Sequence, residues 1–296
     1  MAVLNYATQY SQALAQAFPF VLNFGALYST PNNGRYRVTG AKTIEIPIIS
    51  TTGRVDGNRD IISTAARNFD NSWEPKVLSN HRKWSTLVHP MDIDQTNYVA
   101  SIQNITQVYN DEQKFPEMDA YTISKIYTDY VAASGVPDTT ALTADNLLVQ
   151  FDTMMQKMTE ARVPANGRIL YVTPTVNTLI KNVKALSRFV DVKDSGSAIN
   201  RLVSMLDEVE IIVVPSALMK TKYDFTTGWK AGVGAKQINM VLIHPIAVIT
   251  PVSYEMAQLD TPSAMTEGKF VYFEESFEDV FILNKKKDAI QFNVEV

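Results

Sequence analysis

The chain contains 296 residues (33.1 kDa), 46% of them hydrophobic, so it is long enough to bury a substantial core. Its net charge of −4 and pI of about 5.5 argue against a protein that coats nucleic acid by bulk positive charge. The sequence has no cysteine, which excludes disulfides, thiolate metal sites, iron–sulfur clusters and cysteine nucleophiles.

Residues 1–34 form a segment without any Asp, Glu, Lys or Arg, although aromatic and aliphatic side chains recur along it. Such a segment gains little from water and leaves apolar area exposed. We therefore predict an N-terminal arm that docks on a partner surface, with a helix packed on the chain's own core as the open alternative. The candidate anchors are Leu4, Tyr6, Tyr10, Leu14, Phe18, Phe20, Leu22, Phe24 and Leu27.

Residues 42–90 are predicted to form a long two-stranded excursion. Three isoleucines alternate with other residues at period two, which is typical of a strand, and Pro47 suits an edge strand. A polar tip containing glycines follows, and residues 76–89 are predicted to return as the second strand. The alternating isoleucines are Ile44, Ile46 and Ile48.

The charge of this region differs from that of the remaining chain. Residues 35–90 hold nine basic and five acidic residues, whereas residues 91–296 carry a net charge of −8. The aromatic and basic side chains could stack on nucleic acid, but interleaved acids favour a hairpin that meets a protein partner. The aromatic and basic residues are Arg54, Arg59, Arg67, Trp73, Arg82, Lys83 and Trp84, and the interleaved acids are Asp56, Asp60, Asp70 and Glu74.

Helical periodicity dominates residues 94–162. The spacing predicts one helix from Asp94 to Tyr109, a second that begins at Pro116 and stops at Gly135, and a third over 144–162. The predicted buried positions are Ile123, Ile126, Tyr130, Leu147, Phe151, Met154, Met155 and Met158.

After Gly167 the pattern changes to alternating strands and helices. We predict strands over 168–172, 210–214 and 239–243, helices over 174–186 and 197–206, and C-terminal strands over 270–274, 279–283 and 290–294. The lysines at 285–287 are predicted to mark the turn before the last strand.

Catalytic and metal-binding templates fail on residue type or spacing. His81, His89 and His244 lie in unrelated contexts, and the last two precede proline, where we expect packed neutral imidazoles. The segment Gly232–Lys236 lacks the spacing and the Ser or Thr of a phosphate loop. The sequence therefore predicts no enzyme, no metal site and no cofactor.

Two groups of acids have simpler interpretations than cation sites. Asp92 and Asp94 are explained by a helix N-terminus. Four further acids lack the regular spacing of a calcium loop and indicate an acid-rich turn. These are Glu274, Glu275, Glu278 and Asp279.

The order of elements resembles that of a known family: an apolar arm, a long hairpin, a long helix, an α/β region and returning strands. The chain is similar to tailed-bacteriophage major capsid proteins with the Hong Kong 97-like (HK97-like) α+β fold, especially those of phages of Gram-positive bacteria. The similarity extends over essentially the whole chain. It is carried by Leu4–Tyr6, Gln9–Ser11, Phe24–Tyr28, Thr52–Arg54, Arg82–Asn97 and Phe115–Tyr121.

The resemblance implies a division into parts. Residues 1–41 would be the N-terminal arm and 42–90 the E-loop, an extended β-hairpin. Residues 91–139 and 251–296 would form the peripheral domain, with the spine helix and C-terminal strands, and 140–250 the axial domain. The implied inter-subunit contact residues are Leu4, Tyr6, Tyr10, Phe18, Phe24, Arg54, Arg59, Trp73 and Trp84.

The implied function is a structural shell. Hexamers and pentamers of the chain would assemble, in the host bacterial cytoplasm, into the icosahedral virion head around double-stranded DNA, contacted without sequence preference. A portal protein and further copies of the chain would be partners, with no membrane involved. Because the hairpin starts near Lys42, the sequence leaves no room for the scaffolding domain that some members carry, so we expect a separate scaffolding protein. No cross-link is assigned to Lys76 or Asn80.

Two other functional hypotheses stay open at this point. An encapsulin-like nanocompartment shell of the same fold would house an enzyme cargo and would be accompanied by a cargo peptide. A monomeric hydrolase or ligand-binding α/β protein would need one well-formed pocket.

Overall fold

A computed structural model describes residues 20–40, 42–54, 56, 67–96, 100–183 and 203–295. The predicted contacts Leu4, Tyr6, Tyr10, Phe18 and Arg59, and the predicted anchor Leu14, lie outside the described residues. No helix within these ranges is long and apolar enough to cross a membrane.

The described chain combines six α-helices with fifteen strands. The helices are α1 (Gly25–Tyr28), α2 (Pro90–Gln95), α3 (Ile102–Tyr109), α4 (Phe115–Ala132), α5 (Leu147–Glu160) and α6 (Pro174–Asn182). The strands are β1 (Arg37–Gly40), β2 (Thr43–Thr51), β3 (Phe69–Val77), β4 (His81–Val88), β5 (Ile169–Val172), β6 (Met205–Leu206), β7 (Val209–Val213), β8 (Tyr223–Asp224), β9 (Lys230–Ala231), β10 (Ile238–Ile243), β11 (Val248–Ile249), β12 (Val252–Asp260), β13 (Phe270–Glu278), β14 (Phe281–Ile282) and β15 (Ile290–Val294).

Strands β2 and β3 form the long hairpin, and β1 adds to the base of β2. The antiparallel register runs from Thr43 opposite Val77 to Thr51 opposite Phe69. β1 pairs with β2 only as far as Glu45, so Pro47 lies where β2 has β3 as its one described partner strand. A proline fits there because no second ladder requires its missing N–H. The predicted edge strand is thus correct only for the part of β2 beyond Glu45, since β2 is the central strand of the sheet β1-β2-β3.

The predicted return strand over 76–89 is wrong in its position. β3 returns at 69–77, and β4 leaves the hairpin to pair along its whole length with β13 in the sheet β12-β13-β4. Leu78 ends the hairpin because its buried side chain enters the core beside Ile44 and Ile46, which turns the chain toward the second sheet.

The acids Glu274, Glu275 and Glu278 lie on β13 rather than in the predicted acid-rich turn. Two of them have side-chain partners on neighbouring elements, which favours their position on the strand. Lys114 Nζ lies 3.3 Å from Glu274 Oε1, and His81 contacts Glu275.

A continuous rod of helix runs from Ile102 to Ala132, formed by α3, a π-turn at Asn110–Lys114 and α4. At ~1.5 Å per residue it is roughly 45 Å long. The sequence predicts a helix start at Pro116, but the structure places this proline inside the rod. In a regular α-helix the ring of Pro116 would clash with the carbonyl four residues back. That residue, Glu112, lies in the wide π-turn, which makes room for the ring.

The main core surrounds a five-stranded sheet of order β15-β10-β5-β7-β6. Only the β5–β7 pair is parallel. β15 pairs with β10, so residues 290–294 lie in this sheet and not with the peripheral strands predicted for them. The predicted helix over 197–206 ends in a strand, because Met205 and Leu206 form β6; residues 197–202 lie outside the described ranges.

The predicted inner faces of the helices are confirmed. On α4, Ile123 and Ile126 are buried, and the Tyr130 ring packs on Phe292 of β15 with centroids 5.2 Å apart. On α5, Leu147, Phe151, Met154 and Met158 are buried, with Met155 packed against the same core. The methionines therefore serve as core residues.

Candidate assembly surfaces

The hairpin exposes an apolar face to solvent. In an antiparallel pair, opposite residues point to the same side, so Pro47, Ile49 and Thr51 share a face with their partners on β3. Ile49 is 68% exposed and Phe69 56% exposed. We call this the outer hairpin face; it comprises Pro47, Ile49, Phe69, Trp73, Pro75 and Val77.

The opposite face of the hairpin packs on the body of the chain. Ile44 and Ile46 are buried in a small cluster with Ile249 and Phe281, so the base of the hairpin is held by apolar contacts. The two faces differ because a strand alternates its side chains, and only one side meets the body. The outer hairpin face is thus an accessible apolar surface on a fixed support.

Trp73, a predicted contact residue, lies on the outer hairpin face and is 41% exposed. The Arg37 guanidinium lies over its ring, with Cζ 3.9 Å from the ring centroid, and the same group binds Glu45 with Nε 2.8 Å from Oε2. These contacts hold the indole in place while leaving it accessible to another molecule. Arg54, also predicted as a contact, is exposed beyond the end of β2.

Phe24 is not available to a neighbouring subunit. Its side chain is fully buried, with its ring centroid 4.6 Å from that of Tyr171, and Leu27 beside it is 1% exposed. The prediction of Phe24 as an inter-subunit contact is therefore corrected. Phe24 and Leu27 pack on the chain's own core, as the alternative interpretation of this segment expected.

Asp119 on α4 fixes this N-terminal segment. Its Oδ2 accepts the Asn23 backbone N–H at 2.9 Å and the Asn23 side-chain amide at 2.8 Å, and its Oδ1 accepts the Phe24 backbone N–H at 3.1 Å. Burial raises the pKa of this carboxyl, and the hydrogen bonds from Asn23 and Phe24 oppose that rise. The sequence did not predict this contact.

Further hydrogen bonds hold the following turn. Tyr28 OH donates to Thr122 Oγ1 at 2.8 Å, since that hydroxyl itself donates to the Met118 carbonyl. Asn33 exchanges two hydrogen bonds with Thr250, through the backbone N–H and the hydroxyl oxygen of that residue. Residues 23–33 are thus an integral part of the subunit.

Trp84, the other predicted aromatic contact, faces inward. Its ring stacks on Tyr109 of α3 at a centroid distance of 3.9 Å and an interplanar angle of 8°. Nearby, Arg82 Nε lies 2.5 Å from Glu117 Oε1. Both contacts join the sheet β12-β13-β4 to the helical rod, so Trp84 is already in use inside the subunit.

Asp279 joins three parts of the chain, a role that the sequence did not reveal. Its Oδ2 accepts the Ser79 backbone N–H at 2.7 Å, and its Oδ1 accepts the Tyr121 hydroxyl at 2.7 Å. Burial and the nearby Asp279 charge raise the pKa of Tyr121. The carboxylate thereby connects the hairpin base, the helical rod and the end of β13.

The two histidines before proline act as helix caps. His89 Nδ1 accepts the Met91 N–H and His244 Nδ1 accepts the Ile246 N–H, each at 3.1 Å. His244 Nε2 lies 3.0 Å from the Asn166 carbonyl, so it carries the proton. Burial lowers the pKa of His244, and the neutral imidazole predicted there is confirmed.

Within the described ranges no three His, Asp or Glu residues come together in a group that could hold a metal ion. Gly232–Lys236 forms a turn between β9 and β10, with Val233 almost fully exposed and Gly234 at φ +75°. The polar residues described in this section either form hydrogen bonds inside the subunit or lie on its surface.

No family model matches the sequence, and no curated protein matches it. Solved structures, however, match nearly the whole chain. The capsid structure of the cyanophage P-SCSP1u is 12% identical with a TM-score of 0.71, covering 95% of this chain and 90% of that one. The mature capsid of bacteriophage PhiM1 is 15% identical with a TM-score of 0.62, covering 85% and 81%.

A structure from Mycobacterium phage Che8 gives the same result, at 11% identity and a TM-score of 0.58 over 91% of this chain and 90% of that one. At such identities the likeness shows the fold alone. The chain therefore has the mixed helix-and-sheet fold of phage capsid proteins, as its resemblance to tailed-phage major capsid proteins implied.

Proposed function

We propose that this chain is a phage major capsid protein, whose copies assemble as hexamers and pentamers into an icosahedral head around double-stranded DNA. The observation that carries the proposal is the match to phage capsid structures over nearly the whole chain, which supports a role in building a shell. The accessible outer hairpin face supports it, because exposed apolar side chains grouped on a projecting element are typical of an interaction site.

In this proposal the hairpin of β2 and β3 is the E-loop and the rod from Ile102 to Ala132 is the spine helix. The sheet β12-β13-β4 would belong to the peripheral domain. The five-stranded sheet would form the axial domain. Because this sheet includes β15, the last strand would belong to the axial domain and not to the peripheral domain expected from the sequence. Residues 1–19 would add an arm that reaches neighbouring subunits.

The partners follow from the same proposal. A separate scaffolding protein would guide assembly in the host cytoplasm, a portal protein would occupy one vertex, and packaged DNA would contact the shell weakly. The weak DNA contact is expected because a subunit with a net charge of −4 neutralises few phosphates. Many copies of a modest subunit contact would then stabilise a closed shell.

The test is assembly itself. The full chain is expressed alone and with the neighbouring genes of its genome, and particle mass is measured by light scattering with negative-stain imaging. Closed shells or rings of many copies are the expected result. A 33 kDa monomer under every condition would contradict the proposal, and particles containing an enzyme instead of DNA would point to a compartment shell.

A variant isolates the contribution of the hairpin. Residues 50–70 are replaced by an Asn-Gly turn, so that Ile49 and Asn71, which are opposite each other, close a shortened hairpin. The base stays attached through Ile44 and Ile46, so the subunit should fold with an unchanged circular dichroism spectrum. Shells should no longer form, and unchanged assembly would overturn the role proposed for the hairpin.

A further inference from the structure

A cleft of about 240 Å³ lies beside the middle of β2, where the hairpin meets the body of the chain, and Pro47 and Ile49 of the outer hairpin face reach its edge. Its floor is aliphatic, formed on the hairpin side by Ile46 and Ile48 and on the body side by Ile249 and Leu283. No aromatic side chain contributes to its lining. Such a floor suits aliphatic side chains and offers no ring on which a base could stack.

Three cations line the same cleft: Arg35, Lys285 and Lys286. None of them forms a salt bridge with a carboxylate among the described residues. The amines of Lys285 and Lys286 instead contact main-chain carbonyls, of Ile49 at 3.4 Å and Ile246 at 3.3 Å. Burial and the neighbouring charge of Arg35 lower the pKa of Lys286, which agrees with an excess of positive charge here.

One carboxylate, Glu74, also lines the cleft, but it is already compensated. Its Oε1 lies 2.8 Å from Lys76 Nζ and accepts a hydrogen bond from Asn284 Nδ2 at 2.5 Å. The cleft therefore presents uncompensated positive charge beside an apolar floor. A ligand that is apolar on one side and anionic on the other would satisfy both.

The adjacent backbone favours an extended ligand. Beyond Glu45 the second edge of β2 pairs with no described strand, and the contact of Lys285 with the Ile49 carbonyl puts the cation-bearing turn beside this part of β2. Pro47 offers this edge no N–H, so an extended peptide would hydrogen-bond to the other main-chain groups of the edge while its alternate side chains enter the cleft.

We propose that this cleft binds an extended peptide of a separate protein in which aliphatic residues alternate with Asp or Glu. The aliphatic side chains would lie on Ile46, Ile48 and Leu283, and the carboxylates would pair with Arg35 and Lys286. We assign the peptide to a separate protein; the N-terminal segment 1–34 of this chain does not fit, because it contains no carboxylate side chain. The proposal goes beyond the shell function and concerns the unassembled subunit.

The test uses the full-length chain and a fluorescein-labelled peptide, Ser-Val-Glu-Ile-Glu-Val-Glu-Ser, in fluorescence anisotropy. We expect saturable binding, and about 10-fold weaker binding to Arg35→Gln, because the variant loses one charge-assisted contact; this factor corresponds to about 1.4 kcal/mol. Lys286→Gln should weaken binding similarly. Arg35→Gln is the variant less expected to disturb folding, because the Arg35 side chain is exposed and forms no described hydrogen bond.

Lys236→Gln is the matched control, since it removes the same charge from an exposed loop residue away from the cleft. It should bind the peptide like the unmodified chain. The proposal is overturned if Lys236→Gln and Arg35→Gln weaken binding equally, or if a peptide with lysine in place of glutamate binds as tightly. It is also overturned if an oligothymidylate strand competes as well as unlabelled peptide, because the site would then recognise phosphate.

Discussion

Asp119 Oδ2 accepts the backbone N–H of Asn23 at 2.9 Å, which fastens the N-terminal segment to the middle of the helical rod. We expect Asp119→Ala to lower the free energy of unfolding by about 2–3 kcal/mol, because the buried N–H groups of Asn23 and Phe24 lose their acceptor. Urea denaturation measures this loss. Chymotrypsin should also cleave after Phe24 more rapidly in the variant, since that ring leaves the core more often.

Asp152→Ala is the control for this prediction. Asp152 is exposed on α5, and its replacement should change the stability by less than about 0.5 kcal/mol. Equal denaturation midpoints for Asp119→Ala and Asp152→Ala would show that the carboxylate does not hold the segment.

Tyr171 is fully buried, and its hydroxyl has no hydrogen-bond partner among the described residues. Tyr171→Phe should therefore increase the free energy of unfolding by about 1 kcal/mol, because it removes an uncompensated polar group and keeps the ring. Equilibrium unfolding in urea tests the direction of the change.

The Tyr223 hydroxyl provides the opposite case. It donates to the Ala217 carbonyl at 2.7 Å and accepts the Lys220 N–H at 3.0 Å. Tyr223→Phe should thus lower the stability by about 1–2 kcal/mol. If both tyrosine variants shift the midpoint in the same direction, hydrogen bonding does not distinguish the two sites.

Local pattern predicted much of the fold. The isoleucine alternation gave β2, the aliphatic periodicity gave the inner faces of α4 and α5, and Thr173 with Pro174 marked the start of α6, where the Thr173 hydroxyl accepts the Val176 N–H. These elements could be predicted because their side chains report directly on which side is buried.

Pairing between distant segments could not be predicted in this way. The sequence 76–89 has strand character, but whether it pairs with β2 or with β13 depends on residues nearly 200 positions away. The same limit applies to β15, which joins β10, and to Asp279, whose partners lie on the hairpin base and the helical rod. A buried carboxylate can be recognised in a sequence when its charge falls on an otherwise apolar helix face. Asp119 in α4 is such a residue.

The titration of His244 predicts how the stability of the chain depends on pH. Its pKa is lowered in the folded chain, so below about pH 6.5 the unfolded chain binds more protons there than the folded one. Its stabilising contribution is therefore complete above that pH and declines as the pH falls. Protonation of Nδ1 would also remove the acceptor of the Ile246 N–H.

His244→Asn separates this contribution from that of other groups, because asparagine can still cap the turn at Pro245–Ala247 but does not titrate. Thermal unfolding at pH 8 and pH 5 should show a larger drop in Tm for the unmodified chain than for the variant. Equal drops in the two proteins would exclude His244 as the source.

The outer hairpin face makes the prediction most closely tied to assembly. Ile49→Ser combined with Phe69→Ser changes two exposed side chains on the same side of the hairpin, so the subunit should lose no more than about 1 kcal/mol of stability. Assembly should fail or need a much higher protein concentration, because contact between subunits would bury this apolar surface. Light scattering against concentration measures the shift. Val136→Ser with Val149→Ser is the matched control, since both valines are exposed at sites away from the hairpin, and equal assembly defects in the two double variants would refute the role of this face.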